Sequence, residues 1–283
     1  MKLWKNRNRP KLVPFWPDVR FLLLLGITLV SLGLTFALPA MPQDRGYHSF
    51  ADRRMFAGVP HSLNVLSNLP FAIVGVVGVA GLVRRRRTPV FLDSRESLPY
   101  FAFFAGLFLV ALGSAYYHLF PSNQSLVWDR LPISIVLVAF ACSQLAERVS
   151  PKAGAFLLAP LIGLGIGSVV YWKLTELLGQ GDLRPYGFIR FFPMVLVSFL
   201  ILMFPTRYTG SGRLVLALVL FAASSLLEAL DEAVLQVAGF VSGHTLKHLL
   251  AALSAYLIWQ MLRLRRPFRP PDRSPELFAE SSD

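Results

Sequence analysis

Gly243-His-Thr-Leu-Lys-His-Leu-Leu-Ala-Ala-Leu-Ser-Ala-Tyr-Leu-Ile-Trp259 begins polar and then runs apolar for much of the length of a membrane helix. His244 and His248 are four residues apart, so on a helix they lie one above the other on the same face, a metal-chelating spacing. Ionisable groups at the mouth of a membrane helix are costly unless paired, hydrated or bound, which makes function the first hypothesis for them. Two histidines do not complete a catalytic zinc site, which takes three protein ligands and keeps one open position. A third ligand has to come from elsewhere in the chain.

The composition around this run places it in a membrane. Hydrophobic residues make up 54% of the chain and charged ones only 16%, with a mean hydropathy of +0.54. Soluble domains carry about 25% charged residues. The expected class is therefore an all-α integral membrane protein. The net charge of +12 does not indicate a nucleic-acid partner, because Lys and Arg fall in short blocks between apolar runs. Cys142, the single cysteine, lies inside an apolar run, which excludes an intramolecular disulfide or a thiolate-rich metal cluster and leaves packing.

Residues 1–20 form a basic segment and 21–40 an apolar run long enough to span. A cleaved signal peptide also begins this way, but the run is long and no Ala-x-Ala site follows, so we read it as an anchor. A polar loop over 41–62, containing His48 and His61, is expected to be external. Seven further spans follow at 63–83, 98–119, 131–145, 155–172, 187–205, 214–230 and 244–262, within a unit of 63–263. A Pro/Arg/Ser-rich tail over 264–283 is expected to be disordered. Asn64, Ser67 and Asn68 share a helix face and are expected to bond neighbouring helices, and Gly163-x-x-x-Gly167 fits close helix packing.

Eight spans put both termini on one side, which collects twenty Lys and Arg against seven on the other, so both termini are expected in the cytoplasm. On that topology Ser114 and His118 at the end of the third span, Asp129 before the fourth, and His244 and His248 at the start of the last all reach the outer membrane face. Ser114, His118, Asp129, His244 and His248 are thus the candidate constellation. Glu228, Asp231, Glu232, Glu176, Asp182 and Arg184 reach the same face. They are either a solvated loop cluster or partners of a ligand histidine or of Lys247.

Gly113-Ser-Ala-Tyr-Tyr-His118, Trp-Asp129-Arg, Gly-Asp182-Leu-Arg184 and Gly-His244-Thr-Leu-Lys-His248, with Asn64-Val-Leu-Ser-Asn-Leu-Pro70 upstream, resemble the alkaline ceramidase family. That family belongs to the superfamily of seven-helix intramembrane hydrolases that also holds adiponectin-type receptors and hemolysin III-like proteins. The resemblance covers 64–259 in the family's order. It implies a seven-helix bundle of that type, to which the first span is an addition. It also implies zinc on His118, His244 and His248, with Ser114 and Asp129 completing the site, and cleavage of a ceramide-like N-acyl membrane lipid to a fatty acid and a long-chain amine. The family's acidic, Trp-containing calcium segment has no counterpart in Tyr47-His-Ser-Phe-Ala-Asp-Arg-Arg54, and His61 stands where the family has glutamate, so calcium is expected to be dispensable.

Elementary chemistry agrees with that assignment. A three-histidine zinc with an open position activates water and polarises a carbonyl. Asp129 is then the natural general base, and Ser114 either holds the water or donates to the oxyanion. The alternative is a receptor or structural membrane protein whose zinc only pins helices, with Asp129 as a possible fourth ligand. Neither the acyl chain nor the oligomeric state is legible in the sequence.

Overall fold

A computed structural model describes residues 18–84 and 91–268. Among them the chain is all-helical, with isolated bridges and no strand. The helices are α1 (Val19–Ala37), α2 (Ser62–Leu66), α3 (Leu69–Arg84), α4 (Ser97–Leu119), α5 (Leu126–Arg148), α6 (Pro151–Leu177), α7 (Arg184–Met203), α8 (Ser211–Ala229), α9 (Asp231–Ala238) and α10 (Gly243–Leu264). Seven stretches are long and apolar enough to cross a membrane: α1, α2 with α3, α4 with the turn before it, α5, α6, α7 and α8. The chain is a multi-pass helical membrane protein. The last expected span, α10, has the length at 22 residues but not the apolarity of the other seven. Its polar groups face inward, with His244, Thr245, His248 and Ser254 all buried.

No residue of α1 is buried, and it leans on α7, where the Phe21 and Phe204 rings meet at 5.7 Å. The bundle proper is α3 to α8 with α10, around a core that includes Phe103, Phe104, Phe140 and Trp259. Large apolar side chains such as Phe156 and Leu202 stand exposed on the outer helix faces, as lipid-facing residues do.

Two breaks in the helical pattern shape the site, and both are set by proline. Pro70 has no N–H for the Leu66 carbonyl and disfavours helical backbone before it, so the expected single span at 63–83 is split into α2 and α3. At the split the Ser67 hydroxyl and the Asn68 amide both donate to the Asn64 carbonyl, at 3.0 and 2.8 Å. Pro132 lies inside α5 and leaves the Trp128 carbonyl without its helical donor. That carbonyl lies where a Cβ on Gly113 of α4 would stand, so only glycine lets the two helices approach there. We expect Gly113→Ala to push α4 from α5 beside Ser114 and Asp129, at a stability cost of about 1–3 kcal/mol. Thermal unfolding of the purified variant checks this.

Other expectations need correction. The fourth span does not begin after Asp129: α5 starts at Leu126, because Asp129 and Arg130 are buried in the bundle rather than left in a loop. Gly163 and Gly167 face open space, and the close approach is made by Gly165, whose Cβ would lie 3.2 Å from that of Ser134 on α5. Of the tail, 264–268 are ordered: Arg265 is buried against Glu147, and Pro267 bridges to Tyr208. Together with Glu96, paired to Arg207 and Tyr208, they clasp the bundle end opposite the histidines. Residues 269–283, like most of the basic segment at 1–17 and the arginines at 85–87, lie outside the described residues.

Candidate metal centre and its cleft

His118 closes α4, and His244 and His248 open α10. All three are buried, and one ring nitrogen of each lies within 4.8 Å of the others. Their ring centroids are 4.8 to 5.0 Å apart. The start of α10 is fixed by local capping. Ser242 accepts from the Thr245 N–H at 3.2 Å, and one Asp231 carboxylate oxygen accepts from the His244 N–H at 2.7 Å. The other accepts from the Ala51 N–H at 3.0 Å, which ties the 38–61 loop to this helix end.

The break at Ser67 turns its hydroxyl onto His248 Nδ1 at 2.8 Å. Because that hydroxyl donates to the Asn64 carbonyl, it accepts from Nδ1–H, which sets the tautomer and leaves Nε2 as the free lone pair. Asn64 Oδ1 accepts from the Thr245 hydroxyl at 2.7 Å. Asn64 and Ser67 do bond a neighbouring helix, and one of those bonds falls on a candidate ligand. His118 Nδ1 is buried with no hydrogen-bond partner among the described residues. Three close imidazoles, one with an orphaned nitrogen, make a donor set that suits one divalent ion such as zinc.

Ser114 sits one turn before His118, and both it and the Asp129 carboxyl are buried. With His248 they line one end of a cleft of about 100 Å³. Lining residues extend from 103 to 114 on α4, 129 to 140 on α5 and 247 to 258 on α10. Each step is about 16 Å at 1.5 Å per residue, roughly half a 30 Å bilayer core and so one lipid leaflet. Beyond the polar end the walls are apolar, among them Phe71, Leu107, Phe140 and Ile258.

Sequence reasoning missed the roof. The expected external loop at 41–62 folds back over the cluster, and Phe50 lies against His118 and His244 at 4.6 and 4.9 Å between centroids. Its signal was slight, one of two Phe residues, Phe50 and Phe56, in a polar loop. His48 and His61 do not join the cluster. His48 bonds Tyr117 and Asn123, and His61 Nδ1 bonds the Asp52 carbonyl at 3.0 Å.

Of the acidic residues expected here, Glu228 pairs with both Lys247 and Arg190. Asp231 caps backbone rather than a ring. Glu176 accepts from the Gln43 N–H at 2.6 Å, and Glu232 bonds Gln236. Asp182 is taken by Arg184, whose hydrogen bonds hold its carboxyl below the usual range. Asp52 is likewise held low by hydrogen bonds from Arg54, so the one buried carboxylate of the 47–54 segment is already engaged. No protein-family model matches the chain, and no curated protein matches it.

Proposed function

We propose that the chain is a zinc-dependent membrane hydrolase that cleaves the amide bond of a ceramide-like, N-acyl lipid to a fatty acid and a long-chain amine. The observation that carries this reading is that buried Ser114 and Asp129 line, with His248, the head of a cleft one leaflet deep beside the three histidines. A metal that only pinned helices together would need neither. His118, His244 and His248 would hold the zinc, which when bound supplies a Lewis acid for the amide carbonyl and makes water a nucleophile near neutral pH.

The chain's own groups do the rest. Asp129 takes a proton from the attacking water and returns it to the departing nitrogen. Ser114 is placed to donate to the carbonyl oxygen as charge develops there. The apolar walls take the acyl chain, and Phe50 excludes water from the loop side. The resemblance to alkaline ceramidases supports the same assignment. Incubating the purified protein with a panel of N-acyl lipids and scoring free fatty acid tests it, and no release from any of them would leave the structural-zinc reading.

The proposal includes eight spans, α10 being the last, with both termini cytoplasmic and the site at the outer face. Cysteines at exposed Gln124 and Gln236 are expected to label with an impermeant reagent from outside, and those at Ser94 and Lys152 not. The reverse pattern would move the site to the cytoplasmic face. Calcium is expected to be dispensable, since Arg54 occupies Asp52 and His61 offers no oxygen. A chelator selective for calcium over zinc should leave hydrolysis and thermal stability unchanged.

A further inference from the structure

The chain between α8 and α10 leaves the bundle and returns to the point it left. A Cβ on Gly243 would lie 2.2 Å from the Leu227 carbonyl oxygen, so α10 opens hard against the end of α8, and α9 with the turn after it projects from there. Val234, Leu235 and Ala238 form the half-buried side of α9. Its exposed side is divided. Glu232 and Gln236, hydrogen-bonded to each other, make a polar edge. Ala233 and Val237 make an apolar one, with Phe240 just past the helix; Val237 is 90% and Phe240 70% exposed. At spacings of three and four these residues extend the exposed Leu226 and Leu230 at the end of α8, a helix long and apolar enough to cross the membrane.

A second segment meets this tip. Arg54 donates through Nη2 to the Phe240 carbonyl at 2.7 Å. Beside Arg54 stand Met55 and Phe56, 66% and 73% exposed, at the tight turn closed by the Phe56–Val59 bridge. Large apolar side chains gathered from two segments mark a contact surface rather than a face held in water. A short helix with one polar and one apolar exposed edge, flanked by aromatic rings, fits the headgroup boundary of a bilayer. Continuity with the lipid-facing side of α8 selects lipid, rather than a protein, as what covers it.

We infer that the apolar edge of α9 and the turn at Met55 and Phe56 insert into the interfacial layer of the membrane at the histidine end of the bundle, and that this contact holds the Phe50 roof in place. Asp231, the first residue of α9, makes the connection: its carboxylate accepts from the His244 N–H and from the Ala51 N–H, next to Phe50. Arg54 adds a second link through the buried Asp52. A surface anchor at α9 thus grips both the start of α10 and the loop over the histidines. This holds whether or not the chain hydrolyses lipids.

The test places single cysteines at Phe56, Val237 and Phe240, with one at Gln236 for comparison, in the full chain in phosphatidylcholine nanodiscs. Each is spin-labelled, and the parent with its buried Cys142 serves as the blank. Collision with dissolved oxygen, which concentrates in lipid, is compared with collision with a water-soluble nickel chelate. We expect the oxygen-to-nickel ratio at Phe56, Val237 and Phe240 to exceed that at Gln236 several-fold. Ratios equal to that at Gln236 would place the tip in water, and shielding from both reagents would place it under a second copy or another protein; either result overturns the inference. The roof is tested by backbone hydrogen exchange of the Phe56→Ser/Phe240→Ser variant in the same nanodiscs. Exchange over 47–54 should rise about tenfold, the effect of giving up part of the burial of a Phe side chain, while the α4–α5 core keeps its protection. Leu at both positions should restore the parent's rate. Unchanged exchange over 47–54, or a rise that Leu does not reverse, would overturn the link between the anchor and the roof.

Discussion

Alanine in place of His118, His244 or His248 is expected to remove zinc and lipid-amide hydrolysis together. The three rings come from two helices and meet with nitrogens within 4.8 Å, so each supplies a third of the donor set. Losing a hydrogen-bond partner of a ligand costs about 10- to 100-fold in metal affinity, and losing the ligand itself should cost more. Hydrolysis should fall to the uncatalysed level in all three variants, with elemental analysis showing less than stoichiometric metal. A variant that loses zinc but keeps hydrolysis would separate the metal from the reaction.

Asp129→Asn should behave differently, keeping zinc while turnover falls by about 10² to 10⁴-fold, as for a lost general base. Asparagine fills the same buried volume, but it cannot take a proton from water at neutral pH. Ser114→Ala should also keep zinc and lose about 10² to 10³-fold if the hydroxyl donates to the developing oxyanion. Loss of metal in Asp129→Asn would instead identify Asp129 as a ligand.

How much of this was legible in the sequence differs between helices and loops. The i, i+4 spacing of His244 and His248 and the position of His118 at the end of an apolar run placed the cluster, because hydropathy and charge sufficed to order the helix ends. Helix limits were less legible. Charged Asp129 and Arg130 suggested a loop, yet both are buried in the first turns of α5. Burial by tertiary contact overrides the polarity that marks a boundary in sequence. The Ser67 bond to His248 depends on the chain break that Pro70 imposes, a three-dimensional consequence that a face-counting rule on one continuous helix misses. Phe50 and Arg265 were illegible for a simpler reason: both lie in segments with no periodicity, and their burial is decided by where those segments fold back. Glycine spacing misled as well, since Gly163 and Gly167 matched a packing motif and Gly165 between them makes the contact.

The central claim joins zinc to amide hydrolysis, and one titration tests both. Metal-free purified protein should release no fatty acid from an N-acyl lipid, and release should rise with added zinc and saturate at one equivalent per chain. Release that is indifferent to zinc, or one equivalent bound with no release from any N-acyl lipid, would contradict the account.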